Sequence, residues 1–281
     1  MKLLSTTCLA ILGISMFTAS CKKVSTDTQD EVSKETLQQI EAQGFSSENV
    51  RKVSNGYLVE GDIILTEENL RTKSTSPTLL IAGVEQYRTT NLVKNLPRTI
   101  TVSVSGTLVG KAVWSAAADR MIARYNALRP AYDFNLTFVR ADAGVIGNVD
   151  IIGFDQGPSG GYITLGSSGF PTSAGAPYNQ IKMNTNVQAY GANPNEFYIT
   201  SVLQHEMGHC IGFRHTDYFD RSLSCGGRKS NEEKPFSSGL GAILITGTPS
   251  GFSAESFMLA CSAGTDRSFN PNDITALNYL Y

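Results

Sequence analysis

At 281 residues, with 41% hydrophobic and 17% charged side chains, the chain can bury a sizeable core in one domain carrying a small appendage. Its formal net charge of -2 at pH 7 comes with no basic stripe and no nucleic-acid-binding motif, which excludes nucleic acid as a partner.

Residues 1–20 read as a signal peptide and not as fold. Lys2 is followed by an apolar run from Leu3 to Phe17, then by the small residues Thr18, Ala19 and Ser20. The run is too short for a membrane span. Cys21, with Lys22 and Lys23 after it, resembles a bacterial lipoprotein cleavage site, at which the cysteine is acylated and anchors the chain to a membrane. Ordinary signal cleavage before Cys21 satisfies the same small-residue rule, so both forms stay open. Either way the protein is expected outside the cytoplasm, as a cell-envelope lipoprotein or a secreted protein.

The chain divides further into residues 21–76, a tether with a candidate prosegment, and residues 77–281, the catalytic domain. Residues 22–34 are polar and have little to bury. Leu37, Ile40 and Phe45 mark a short helix, and the stretch from Tyr57 to Leu65 is strand-forming but interrupted at Gly61. Arg71 to Pro77 is basic, rich in Ser and Thr, and reads as a linker.

Beyond it, Ile100, Val102 and Val104 alternate with polar neighbours as a strand with one buried face. Lys111 to Leu128 has helical periodicity along Trp114, Ala117, Met121, Tyr125 and Leu128, which places the single Trp in the core. Two more strands follow at Leu136–Phe138 and Ile151–Phe154, and shorter ones at Gly161–Gly166 and Ile181–Asn184. A long helix over about residues 194–211 is signalled by Asn193 as cap, Pro194 at the first helical position and Glu196. Asn270-Pro271-Asn272-Asp273 caps a closing helix with Ile274, Leu277 and Leu280 on one stripe. This order predicts an α/β layer architecture with a five-stranded sheet and two long helices.

All three histidines of the chain lie between positions 205 and 215, in the run His205-Glu206-Met207-Gly208-His209-Cys210-Ile211-Gly212-Phe213-Arg214-His215. Residues four apart share a helical face, so His205 and His209 can turn toward one ion. Gly212 can adopt the left-handed conformation that ends the helix and brings in His215 as a third ligand. The fourth position stays open for water, and Glu206 can address that water as general base. The expected cofactor is Zn²⁺. Export also makes cysteines available for disulfides. Of Cys210, Cys225 and Cys261, an odd number, Cys261 is expected to pair with Cys210 or Cys225, or Cys210 is simply a small buried residue.

The motif from His205 to His215 resembles that of the metzincin clan of zinc endopeptidases, and within it the sequence is similar to the bacterial dual-action HEIGH metallopeptidases. His205-Glu206-Met207-Gly208-His209 has Met where the family's name has Ile, and Asp273 to Tyr281 also looks like that family. The resemblance implies a metzincin-like mixed sheet and a Met-turn, for which Met258 in Ser256-Phe257-Met258 is the candidate. Ala260 stands where some of the clan add a tyrosine ligand, so no such ligand is carried over. Val59-Glu60-Gly61-Asp62 is similar to the element by which astacin-type prosegments place an aspartate on zinc, which makes Asp62 the candidate zymogen switch.

These readings converge on a zinc metalloendopeptidase that hydrolyses peptide bonds with a zinc-activated water and Glu206 as base. Its partner is a protein or peptide substrate, extended along the strand near Gly161–Gly166, and the chain is expected to act as a monomer. Two other readings are a cell-surface binding lipoprotein with structural zinc, which would have no need of Glu206, and a zinc hydrolase acting on non-peptide amides.

Overall fold

The computed structural model describes residues 32–71, 86–159, 161–227, 241–249 and 252–281. The signal peptide, Cys21, tether residues 22–31 and the linker after Arg71 lie outside these residues. The elements below belong to one compact unit, Val32–Tyr281.

The first helix, α1 (Lys34–Ala42), is capped by the Ser33 hydroxyl, which accepts from the Thr36 N–H. It ends before Phe45. Strands β1 (Arg51–Val53), β2 (Gly56–Val59) and β3 (Ile63–Leu65) follow, then the short helix α2 (Glu67–Arg71). The interruption at Gly61 is a hairpin loop: Val59 pairs with Ile63, and Glu60 and Gly61 turn the chain at φ 51° and 89°. Ile40, Phe45, Val59, Ile63, Leu65 and Leu70 bury against one another and against Phe170, giving the segment a small apolar core of its own.

Next come β4 (Tyr87–Arg88), β5 (Arg98–Val104), α3 (Ala112–Asn126), β6 (Leu136–Arg140), β7 (Val149–Phe154), β8 (Gly166–Gly169) and β9 (Gln180–Asn184). The chain continues through α4 (Val187–Tyr190), α5 (Glu196–Ile211), β10 (Phe213–Arg214), α6 (Ser222–Cys225), β11 (Ile243–Leu244) and α7 (Pro271–Leu280). The large sheet runs β1-β2-β3-β8-β9-β7-β5-β6, and β10-β4-β11 form a small second sheet. Strands β9, β7, β5 and β6 are mutually parallel, whereas β8 is antiparallel to β9.

The sheet therefore has eight strands where the sequence predicts five. All five lie between β5 and β9, and β1 to β3 extend them because β3 pairs in parallel with β8, Ile63 against Ser168 and Ile64 against Gly169. The fourth predicted strand is also displaced. It begins at Gly166 instead of Gly161, and its outer edge is taken by β3. Its sequence, Gly-Ser-Ser-Gly, is wholly buried yet offers no hydrophobic alternation by which to recognise it. Small residues are required there: a Cβ on Gly169 would fall 2.8 Å from the Ile64 carbonyl oxygen.

Helices α3 and α5 share one core with the sheet. Trp114, Met121 and Tyr125 from α3 and Ile199, Leu203 and Met207 from α5 meet Ile100, Val102, Phe138, Ile151 and Ile181. Each such side chain contributes about 1.5–3 kcal/mol on burial. Helix α5 starts two residues later than predicted, because Asn195 and not Asn193 caps it, accepting from the Phe197 and Tyr198 N–H groups. Pro194 lies outside the helix. At the other end Gly212 does take the left-handed conformation, at φ 112°. Helix α7 has the predicted cap at Asn270, with Pro271 in its first turn and Asp273 completing a capping box.

Cys225 and Cys261 form a disulfide, while Cys210 is buried and unpaired. The bridge closes a loop with a sequence separation of 36. Chain-entropy arguments put its contribution at about 3–4 kcal/mol. Replacing both cysteines by serine should lower the unfolding free energy in urea by that amount, and an unchanged unfolding midpoint would contradict this.

Candidate metal centre

Three elements converge on the centre. Helix α5 carries His205, Glu206 and His209 in its last two turns, and the reversal at Gly212 returns the chain as β10 and His215. A side chain at Gly212 would meet Leu92 and the Asn91 carbonyl oxygen, at 2.8 and 2.9 Å, so both conformation and space require glycine. The β2–β3 hairpin loop brings Asp62 from the opposite side. Ligand atoms of Asp62, His205, His209 and His215 all lie within 4.8 Å of one another.

Each imidazole is oriented by a second contact. His205 Nδ1 lies 2.9 Å from the Phe257 carbonyl oxygen and His209 Nδ1 2.8 Å from that of Phe213. A carbonyl only accepts, so both Nδ1 atoms carry the proton, and in a neutral ring Nε2 presents a lone pair. His209 Nε2 and His215 Nε2 lie 3.2 Å apart, and Asp62 Oδ2 is 3.1 Å from His215 Nε2 and 3.4 Å from His205 Nε2. Ring nitrogens and a carboxylate crowded together in a buried site are unfavourable unless a proton or a metal cation lies among them. His205 Nε2 and Asp62 Oδ1 have no hydrogen-bond partner among the described residues, as suits groups that would serve a metal.

Electrostatics point the same way. Burial, with the two other imidazoles next, holds His209 well below the ordinary histidine range, in the neutral form that ligates. Burial would also lower His215, but Asp62 and Glu60 outweigh it and push that ring up to about 10. The two acids thus demand positive charge at this point, which a bound cation supplies. Donor set and charge balance both fit a divalent metal.

Glu206 is buried beside this group and is not among its ligand atoms. Its Oε2 accepts from the Ser168 hydroxyl at 2.7 Å. Burial and the neighbouring Asp62 charge raise its proton affinity well above the usual carboxylate range, with Ser168 opposing. Strand β8 reaches it closely because Gly166 has no side chain: a Cβ there would lie 2.8 Å from Glu206 Oε1.

Met258 is fully buried under α5, and a Cβ on Gly208 would fall 2.5 Å from its sulfur, so Gly208 admits it. Its loop is fixed from two sides. Asp217 accepts from the Ala260 N–H and from Ser224, and Asp273 accepts from Gln86, Ser256 and the N–H groups of Phe257 and Asn270. Cys21 lies outside the described residues, and Cys210, Cys225 and Cys261 stand apart from the ligand group.

Sequence reasoning missed Ser168, Glu60, Arg214, Asp217 and Asp273. Glu60 and Arg214 form a buried ion pair, Nη2 to Oε1 3.3 Å, against the back of His215, whose Nδ1 lies 3.6 Å from Glu60 Oε2. Burial alone would raise the Glu60 carboxyl, but Arg214, His215 and Arg221 bring it below the usual range. The available signal was position: Arg214 lies inside the histidine run, and Glu60 two residues before Asp62.

A mixed α/β fold in which two helical histidines, a third beyond a glycine turn and an adjacent glutamate gather round a metal-binding point defines a metallopeptidase. The chain belongs to the dual-action HEIGH metallo-peptidase family, whose sequence profile matches residues 57–281. That match begins within β2 and so takes in the Asp62 hairpin. The family implies a catalytic metal. Two solved structures of myroilysin align with 68% of this chain and with 86% and 82% of their own, at 11% identity and a TM-score of 0.38. Among curated proteins no relative matches.

Asp273 supports the centre indirectly, since it holds Phe257, whose carbonyl orients His205. Asp273→Asn would turn an amide NH₂ toward donors that need an acceptor. Stability should fall by about 1–3 kcal/mol, and metal affinity about tenfold. Calorimetry and metal-buffer titration would read the two effects, and an unchanged affinity would separate Asp273 from the site.

Proposed function

We propose that the protein is an exported zinc-dependent endopeptidase, synthesised in a latent form that residues 32–71 hold closed. The observation that carries the reading is the convergence of three imidazoles on one point, with a buried glutamate beside them that is not a ligand.

His205, His209 and His215 would hold the ion, Zn²⁺ by the nitrogen-rich donor set. When bound, zinc lowers the pKa of water from about 16 to about 7 and withdraws charge from a carbonyl oxygen. Glu206 then takes the proton of the attacking water and returns it to the departing amine. Ser168 keeps the carboxylate turned toward that position, and the buried setting excludes competing solvent. Met258 would form an apolar floor below the histidines. A peptide substrate would lie along β8, on the edge that β3 occupies in the chain described here. Main-chain pairing to a strand recognises peptides in general and leaves side chains to select among them.

Asp62 is the proposed switch. It lies where a fourth ligand would be, and β3 continues from it over the substrate edge, so one hairpin would block both water and peptide. The same four-ligand arrangement favours a second reading, a surface binding protein with closed structural zinc. Glu206 separates the two, since a structural site has no use for a buried unligated acid. For export, Lys2 and the apolar run to Phe17 support a signal peptide, and Cys21 a lipid anchor.

The full-length Asp62→Ala protein should hydrolyse casein at least tenfold faster than wild type. Adding Glu206→Ala to it should reduce that rate by about 10²–10⁴-fold while zinc remains at one per chain. Equal rates for wild type and Asp62→Ala, both lost with Glu206→Ala, would sink Asp62 as the switch and keep the peptidase. Metal removal by a chelator should abolish hydrolysis, and zinc should restore it. Activity that persists without metal would refute the reading.

A further inference from the structure

Arg214 is the largest fully buried side chain of the protein's described residues, and three of its contacts, Gly44, Phe45 and Glu60, come from the N-terminal segment. Its Nη2 donates to the Gly44 carbonyl oxygen at 3.3 Å and faces both Glu60 oxygens at 3.3 and 3.5 Å. The Phe45 ring stacks on the guanidinium at 3.8 Å. Among the described residues, the Gly241 carbonyl, 3.0 Å from Nη1, and the more distant Tyr218 ring are its contacts from the rest of the chain. Its Nε has no hydrogen-bond partner among the described residues. Arg221 stands close by, against Gly61, with its own buried Nε unpartnered, and its charge acts on Glu60.

Departure of residues 32–71 would therefore strip this cation of its counter-charge, one carbonyl and one ring face in a single step. A guanidinium left without a counter-ion in an apolar wall is unfavourable, and a planar fork of N–H donors is matched by a carboxylate. The position is next to the chemistry, because Arg214 immediately precedes His215. In the closed chain one hairpin loop supplies Asp62 to the ligand group and Glu60, two residues away, to Arg214.

We propose that Arg214, with Arg221 beside it, is a carboxylate subsite that selects peptides bearing an acidic side chain within two residues of the cleaved bond, and that Glu60 occupies this subsite while the segment is in place. The inference rests on the peptidase reading above, which it deepens by naming a substrate class. Glu60 and Asp62 would act together, the first in the specificity subsite and the second at the metal.

The test uses the full chain with a protease-recognition sequence inserted in the 72–85 stretch, cut after purification. Retention of the N-terminal fragment is measured by gel filtration and isothermal titration, for wild type and Glu60→Gln, each also in a Glu206→Ala background. The cut wild-type enzyme is then given a random peptide library, and matched peptides that differ only by Glu or Gln at the enriched position. We expect Glu60→Gln to weaken fragment binding at least tenfold, with or without Glu206. Glu peptides should be cleaved at least tenfold faster than their Gln partners, and Arg214→Lys, which keeps the charge but loses the fork, should reduce that ratio at least threefold. Equal retention of the two fragments, equal cleavage of Glu and Gln peptides, a ratio unmoved by Arg214→Lys, or a fragment that never leaves would each overturn the proposal. If no peptide is cut while Glu60→Gln still loosens the fragment, the peptidase reading fails and the carboxylate site stands.

Discussion

Three imidazole Nε2 atoms and the Asp62 carboxylate crowded at one buried point, with His205 Nε2 unpartnered among the described residues, are the constraint on which the rest of this structure depends. His205 and His209 are fixed by main-chain carbonyls so that their Nε2 atoms point inward, and His215 meets them from β10. Such an arrangement is unfavourable in a protein interior unless a cation compensates it. Much of the surrounding structure serves to hold it. Gly208 admits the Met258 sulfur, Gly212 reverses the chain, Asp273 fixes the Phe257 carbonyl, and Asp217 ties the Met258 loop to the end of the histidine run.

The N-terminal segment belongs to the same electrostatic problem. Arg214 and Arg221 beside the three imidazoles make a corner that calls for negative charge, and the β2–β3 hairpin answers it with Glu60 and Asp62. The hairpin is held there by its own apolar core with Phe170 and by pairing with β8. In the proposed latent form, closing the metal position and covering the β8 edge are thus one structural act. Residues 51–65 extend the large sheet, so the release we propose would be a strand exchange, with a peptide replacing β3 on β8.

How far the sequence discloses this depends on the range of the interactions. Helix α5, the turn at Gly212 and the cap of α7 were legible because helix periodicity, glycine conformation and capping are local. Four of the five central strands were legible as well, through their apolar residues. Strand β8 was misplaced because its four small residues carry no pattern. Its pairing with β3 joins segments about a hundred residues apart, and no local rule specifies that partner. The cap of α5 fell on Asn195 because two asparagines flank Pro194 and side-chain geometry, not residue type, chooses between them. Asp62 could be singled out by resemblance, whereas Glu60, Arg214 and Ser168 acquire meaning only once the hairpin is set against the histidines.

The most direct test of the central claim is the zinc content of the purified full-length chain, with X-ray absorption at the zinc edge. This account predicts one zinc per chain in a shell of three imidazole nitrogens and one carboxylate oxygen, without sulfur, and loss of that oxygen's contribution in Asp62→Ala. A protein that takes up no zinc, or holds it through Cys210 sulfur, would contradict it.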